Sequence, residues 1–429
     1  MNILFVHQNF PGQYRHLAAH LAAQPGNQVV FITQRAHSTL PGVKTLLYTP
    51  RRKVSAGVHH YLRESEAGVL NAQAVARIAL GLKKNGFIPD VMIGHNGWGE
   101  IWYLKDVFPQ TPLLGYFEFF YRLTGGDVGF DPDEQTSADT GPRLRTKNVG
   151  NLLGLAVADV GQCPTHWQQS TYPDVYRPRL HVVHEGIDTK LVAPDAKARL
   201  RLPGNGLELA AADEVLTYVA RNLEAYRGFP SFMRSLPAIL GARPKAQVLI
   251  VGGDEVSYGA PPRDGQSCRQ TLLAELGDRL DTSRVHFLGK LPYPLFLKVL
   301  QISRVHVYLS YPFVLSWSML EAMAAGCLVV GSRTAPVEEV IRDGENGVLV
   351  DFFSPTEIGE RVVAGLAEPE RFADLRARAR QTIVERYDLK RICLPAQTTL
   401  IAQIAGQGGQ PGPAAPADAP RSERVDYAI

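Results

Sequence analysis

Two series of short apolar runs alternating with longer amphipathic ones, spread over 429 residues, constrain this chain more than any other feature. In the first half, residues 2–6, 28–32, 90–93 and 111–116 read as buried strands, with helices predicted near 14–23 and 72–83. A second series follows at 215–219, 247–251, 284–288, 305–309, 327–331 and 347–350. Parallel strands need helical crossovers, so this order predicts βαβ units and a parallel sheet in each half. The length also exceeds what one hydrophobic core usually supports. The expected fold class is therefore α/β, with two Rossmann-like doubly wound domains facing across a cleft where ligands bind. The Pro-, Gly- and Ala-rich stretch 194–212 reads as the interdomain linker and entry strand, and helices are expected at 371–387 and 389–405. Beyond residue 406 the Gly, Pro, Ala and Gln content predicts a disordered tail. The predicted units are thus 1–190, 191–385, a C-terminal helix at 386–405 returning to the first domain, and the tail 406–429.

The formal net charge of +3 is too small to argue for a nucleic-acid partner. Local basic clusters occur at Arg51-Arg52-Lys53, at Lys83-Lys84 and within 143–147; solvated surface and peripheral membrane contact are the two readings of them. Cys163, Cys268, Cys327 and Cys393 are widely spaced, with no CxxC pair and no histidine at metal-ligand spacing, which predicts reduced structural thiols. Met1 leads directly into a strand pattern without a basic leader, and no apolar run reaches about 18 residues. The expected location is cytoplasmic, with any membrane contact peripheral and at the inner surface. Oligomeric state is not readable from the sequence.

Chemistry concentrates in residues 310–330, where a Pro-containing loop leads into a short helix bearing Glu321, a glycine stop and an apolar strand. A helix starting directly after a strand-loop offers free N–H groups and partial positive charge to an anion, such as a nucleotide diphosphate. Glu321 stands where it can reach a ribose hydroxyl, although a surface carboxylate on a buried helix is the plainer reading. Arg221 ends a strand and Arg227 follows six residues later; two guanidiniums on one loop can grip a diphosphate and offset leaving-group charge. Gly12, in the Pro-Gly turn after the first strand, permits close backbone approach by a phosphate or sugar, or makes a simple tight turn. His95 follows the strand at 90–93 and can donate to a substrate hydroxyl; Glu118, after the next strand, is an acceptor-side candidate. Asp131-Pro132-Asp133 has the look of a metal-holding acidic triplet but lies in a Gly- and Asp-rich loop, so no metal is expected.

Taken together these segments resemble glycosyltransferase family 4, retaining nucleotide-sugar enzymes of GT-B fold. The resemblance runs through His184-Glu185-Gly186-Ile187-Asp188, the Arg221 and Arg227 pair, Val251-Gly252-Gly253, and residues 285–290, 310–326 and 341–350. In the first half, FPGQYRHLA and DVMIGHNGWGE resemble a bacterial branch of that family. By this resemblance Gly12 approaches donor phosphate or sugar, His95 contacts the transferred sugar, and Lys290 and Leu291 lie beside the base. The N–H groups of Val314, Leu315 and Ser316 then face phosphate or sugar hydroxyls, while Glu321 holds the ribose. One departure stands out: Phe313 occupies the position eight before Glu321 where the family commonly has another Glu near the donor sugar. Arg227 also replaces the family's Lys, keeping charge with different geometry.

The resemblance implies a donor of the nucleotide-diphosphate-sugar class, no metal or other cofactor, and a glycan, lipid or protein acceptor. It also implies substitution in which the leaving phosphate helps deprotonate the acceptor, without a protein nucleophile. Acceptor recognition is assigned to loops 54–66 and 125–146. A sugar-nucleotide epimerase on the same scaffold, or a catalytically silent nucleotide-sugar-binding partner subunit, are the competing readings; Phe313 is the main argument for the latter.

Overall fold

The computed structural model describes residues 1–36, 38–134, 136–202, 206–259 and 265–406. The predicted tail after residue 406 and part of the predicted linker, 203–205, lie outside them.

The first domain is built on a seven-stranded parallel sheet. Its strands are β1 (Asn2–Val6), β2 (Gln28–Thr33), β3 (Val43–Leu47), β4 (Val91–His95), β5 (Leu113–Tyr116), β6 (Val160–Cys163) and β7 (Leu180–Val182). They lie in the order β3-β2-β1-β4-β5-β6-β7, so β1 pairs with both β2 and β4, as in Ile3 opposite Val29 and Val91. The second domain carries a six-stranded parallel sheet. Its strands are β8 (Val215–Asn222), β9 (Gln247–Gly253), β10 (Val285–Gly289), β11 (Val305–Tyr308), β12 (Leu328–Ser332) and β13 (Val348–Val350), in the order β10-β9-β8-β11-β12-β13. Residues such as Ile3, Leu4, Phe5, Leu216 and Val305 are fully buried, because helices cover both faces of a parallel sheet. In each sheet the winding reverses beside the first strand, between β1 and β4 and between β8 and β11. Ligand crevices open at such switch points.

Several elements differ from the sequence expectation. The helix expected at 72–83 spans Arg63–Lys84, because its first turns are polar and carry no apolar signature; the end of the 54–66 loop is therefore helical. β4 runs on to His95, which ends the strand instead of following it. The 194–212 stretch is no open linker: Arg199–Arg201 pairs antiparallel with Glu208–Ala210, and Leu200, Leu202 and Leu209 pack against Leu249 and Val299. The 125–146 loop contains most of a helix, Thr140–Lys147. All four cysteines are free thiols.

The chain crosses between the domains twice, side by side. Ile187 donates its N–H to the Tyr387 carbonyl at 2.8 Å and accepts from the Leu389 N–H at 2.8 Å. Gly186 has φ +93°, and a Cβ there would meet the Leu389 backbone at 2.7 Å, so only glycine lets the crossings touch. After the second crossing, helix Leu394–Gly406 buries Leu400, Ile401 and Ile404 in the cluster that also holds Ile3, Phe5 and Leu17 of the first domain. Further contacts bridge the domains near the cleft. The Tyr226 hydroxyl donates to Asp127 and the Tyr311 hydroxyl to Asp131, both at 2.9 Å, while Phe119 meets Phe313 edge-on at 4.8 Å. The 125–146 loop thus packs on the second domain, which its sequence did not announce. Among the described residues no helix is long and apolar enough to cross a membrane.

Candidate active site

The carboxyl edges of the two sheets face each other across a cavity of about 480 Å³. From the first domain it is lined by His95, Trp98, Glu118 and Lys147, and from the second by Arg221, Glu255, Tyr258, Lys290, Phe313 and Val314. Of the residues singled out in the sequence, this wall brings together His95, Glu118, Arg221, Lys290, Phe313 and Val314. Gly12, Arg227, Leu291, Leu315, Ser316 and Glu321 lie outside the lining.

The positive side belongs to the second domain. Arg221 is exposed at the end of β8. Lys290 follows β10 and forms an ion pair with Glu255 at 2.5 Å, which brings the Lys290 ammonium back toward β9. Arg227, by contrast, is only 7% exposed. Its Nη1 donates to the Ser310 hydroxyl at 2.8 Å, the Val314 carbonyl at 3.0 Å and the Tyr308 hydroxyl at 3.2 Å, and its guanidinium stacks over the Tyr258 ring at 5.3 Å. The two arginines therefore do not project side by side: Arg221 faces the cleft, and Arg227 fastens the 310–314 loop from behind.

That loop delivers the chain to helix Trp317–Ala324. The Ser316 N–H, expected to face a ligand, already donates to the Tyr308 hydroxyl at 2.8 Å. Its side chain caps the helix by accepting from the Ser318 N–H. Among the described residues neither the Val314 nor the Leu315 N–H has a hydrogen-bond partner, and of the two residues Val314 lines the cavity. Glu321 is buried, and it accepts from the Tyr293 hydroxyl at 2.7 Å. Burial raises its pKa above the usual carboxylate value, against the Tyr293 bond and the charge of Arg15 from the first domain. Leu291 is half-buried and packs into the small cluster beneath the Arg199–Arg201 hairpin. Phe313 is buried against Phe119, Tyr226 and Tyr258 and presents an apolar face where a carboxylate was the family's habit.

The facing wall is a chain of hydrogen bonds across the switch point of the first sheet. His7, just after β1, accepts the Asn9 N–H at Nδ1 (2.8 Å) and contacts Gln13 Oε1 through Nε2 at 2.6 Å. Gln13 in turn donates to Glu118 Oε1 at 2.9 Å. Burial and the neighbouring His95 push the His7 pKa down to about 3. His95 is only 1% exposed, with its ring stacked between Trp98 and Tyr116 at 4.6 and 5.1 Å. Glu118 opens to the cleft, with its side chain 36% exposed. Gly12 sits at φ +52° directly over His7, and a Cβ there would fall 2.6 Å from the imidazole. Its glycine answers to that ring; it does not line the cavity.

The acidic triplet splits up: Asp131 bonds Tyr311 across the domains, and its other oxygen accepts the Asp133 N–H at 2.9 Å. Among the described residues no group of three or more metal-ligating side chains converges. Of the basic clusters, Arg52 pairs with Glu66 at 2.6 Å and Lys147 with Glu64 at 3.3 Å.

The profile of the Glycosyl transferase family 4 group matches residues 25–192, and that of Glycosyl transferases group 1 matches residues 207–382. The chain belongs to glycosyltransferase family 4. Curated relatives include D-inositol 3-phosphate glycosyltransferase 1 of Catenulispora acidiphila, 28% identical over 47% of this chain and 47% of its own. The D-inositol 3-phosphate glycosyltransferase of Corynebacterium efficiens is 26% identical over 70% of this chain and 69% of its own. The chain spans about half the length of the first of these. Among solved structures, sucrose-phosphate synthase from Thermosynechococcus elongatus superposes with a TM-score of 0.68 at 18% identity, covering 95% of this chain and 100% of that one. Anabaena HepE, solved in complex with UDP and glucose, gives 0.63 at 16% identity over 94% and 100%. Both likenesses establish the GT-B fold.

Family membership directs attention to the switch-point loops, but several residues there carried no sequence signal of their own. His7 and Gln13 sit inside the quoted N-terminal motif without any spacing that links them to Glu118. Glu224 accepts the backbone N–H groups of Ser257, Tyr258 and Gly259 at 3.1–3.2 Å, tying the loop after β8 to that after β9. Only the fold brings these partners together, across 33 to 105 residues of sequence.

Proposed function

We propose that the protein is a retaining glycosyltransferase that moves a sugar from a nucleotide diphosphate to an acceptor hydroxyl without a metal ion. The observation that carries this reading is the facing of Arg221, Lys290 and Val314, whose N–H has no partner among the described residues, against Glu118 across one cavity. A diphosphate docked at the mouth of the 310–316 loop meets the Arg221 guanidinium, the Lys290 ammonium and the Val314 N–H, enough positive potential to hold the leaving group. Arg227 contributes by fixing the loop and adding charge behind it. By the family resemblance Glu321, bonded to the Tyr293 hydroxyl and outside the cavity lining, is assigned the ribose, and Lys290, which lines the cavity, and Leu291, which does not, are assigned the base. Gly12, over His7, shapes the turn that faces the donor. His95 and Glu118 form the wall facing the transferred sugar. Departing phosphate takes the acceptor proton, so no protein nucleophile is required.

The acceptor is a glycan, lipid or protein side chain reached through loop 54–66 and the outer part of 125–146. A cytoplasmic setting with peripheral contact at the inner membrane surface, through Arg51 and its neighbours, completes the reading; vesicle co-sedimentation at low and high salt tests it.

Purified protein incubated with UDP-, GDP- and dTDP-sugars, with and without cell-envelope acceptor extracts and with excess EDTA, tests the whole. The expected result is acceptor-dependent transfer with retained anomeric configuration, undiminished by EDTA. A new sugar nucleotide formed from donor alone identifies an epimerase, and binding without turnover identifies a silent partner subunit, the reading that buried Phe313 favours.

A further inference from the structure

We propose that Glu118 is the first-domain residue that touches the transferred sugar, its carboxylate accepting hydrogen bonds from the sugar hydroxyls, and that His7, Gln13 and His95 are positioning residues that aim it. The inference rests on the cleft being a nucleotide-sugar site and assigns the sugar contact within it.

Hydrogen-bond polarity fixes the first part. The Asn9 backbone N–H can only donate, so His7 Nδ1 is an acceptor and its proton sits on Nε2. That proton goes to Gln13 Oε1, which turns the Gln13 amide nitrogen toward Glu118 Oε1. The amide orientation is therefore dictated from His7, and Glu118 receives a donor where a flipped glutamine would present an acceptor. His7, held neutral by its burial, does not add charge to the chain.

Accessibility fixes the second part. His95 Nδ1 accepts the Gly97 N–H at 2.9 Å, so the proton of its neutral form lies on Nε2. Nε2 is buried without a hydrogen-bond partner, 3.6 Å from Glu118 Oε2. Ring stacking on both sides holds the imidazole in place, and a sugar hydroxyl does not reach that nitrogen past Glu118. His95 thus acts through the carboxylate.

Charge fixes the third. Three carboxylates line the cavity. Glu64 is paired with Lys147 and Glu255 with Lys290. Among the described residues Glu118 has no Lys or Arg partner. Burial works to raise its pKa, but the His95 imidazole 3.6 Å away and the Gln13 bond outweigh it and hold it below the usual carboxylate value, so the group stays ionised at neutral pH and is an acceptor only. Hydroxyls are the donors such a carboxylate takes. Its chain neighbour Phe119 meets Phe313, and Glu118 and Phe313 both line the cavity.

Isothermal titration of UDP, GDP and dTDP, each alone and as its glucose conjugate, separates nucleotide binding from the gain contributed by the sugar. In Glu118→Gln the nucleotide alone should bind within about 2-fold of wild type, while the sugar-dependent gain falls by about 10-fold or more. Gln13→Met should lose about 3- to 10-fold of the same gain, with the nucleotide again unaffected, a split that general loosening of the fold does not produce. Melting temperatures confirm that both variants are folded, and the milder Gln13→Met carries the test if Glu118→Gln is not. An undiminished sugar gain in the folded variants overturns this assignment alone. Absence of binding by any nucleotide to wild type overturns the nucleotide-sugar reading of the cleft, and this inference with it.

Discussion

Arg221→Ala and Arg227→Ala should fail in different ways, because one guanidinium faces the cleft and the other holds the loop that makes it. Truncating Arg227 removes three hydrogen bonds from one charged nitrogen and a ring-stacking contact, and leaves the Val314 carbonyl and the Ser310 and Tyr308 hydroxyls with fewer partners. Bonds to a charged donor contribute about 1.5–3 kcal/mol each when measured singly, but three sharing one nitrogen are not additive. Loss of a buried, bonded charge typically costs about 3–5 kcal/mol, and that is the expected loss of stability in the second domain. At about 2–4 °C per kcal/mol for a domain of this size, the melting temperature should drop by roughly 6–20 °C. The loop also carries the Val314 donor, so turnover should fall on the order of 100-fold or more. Arg221→Ala should show the same loss of turnover with melting unchanged within about 1–2 °C, since an exposed side chain has little packing to lose. Scanning calorimetry paired with initial-rate kinetics reads both. Near-normal kinetics in both variants would refute the diphosphate role, and an unshifted melt in Arg227→Ala would refute the fastening of the loop.

Two further outcomes follow from buried groups in the first domain. Gly12→Ala combines a left-handed backbone, costing about 1–2 kcal/mol, with a Cβ placed 2.6 Å from the buried His7 ring, so stability should fall by about 2–4 kcal/mol in chemical denaturation; an unchanged midpoint would show that His7 moves aside freely. Glu100 is fully buried, and burial raises its pKa to about 7 against the 2.8 Å bond from Tyr48. Its folded pKa exceeds the unfolded one, so its contribution is complete below about pH 4.3 and is lost as pH rises through about 7. Wild type should therefore lose up to a few kcal/mol relative to Glu100→Gln across that window, by about 1.4 kcal/mol per pH unit; parallel stability curves for the two proteins would sink the assignment.

Local pattern carried the architecture well where strands were apolar on both faces. β1 and β9 carry unbroken runs of Val, Ile, Leu and Phe, residues 3–6 and 248–251, and a run of that kind has few alternatives to the middle of a parallel sheet. β3, with Lys44 and Thr45 at the sheet edge, and β6, with Gly161 and Gln162 in four residues, gave no such signal. The first turns of Arg63–Lys84 were hidden because Arg63 and Glu64 are exposed and Glu66 is turned to Arg52 and the Ser55 N–H. The 194–212 stretch read as linker because its Pro and Gly content masked Leu200 and Leu209, which find their partners only on the second domain.

The sequence by itself determined that there would be two parallel sheets, and which loops would meet at their carboxyl edges, because strand burial and crossover order are written in local hydrophobic pattern. Tertiary structure decided what each polar side chain in those loops does. Arg221 and Arg227 are six residues apart, yet one reaches the cleft and the other is spent on a loop 83 to 87 residues away. Glu118 owes its orientation to Gln13 from 105 residues upstream, and Asp131 bonds a tyrosine 180 residues downstream. A polar group takes its role from the partners within about 3 Å, and in a two-domain fold those partners come from positions whose separation no local pattern records.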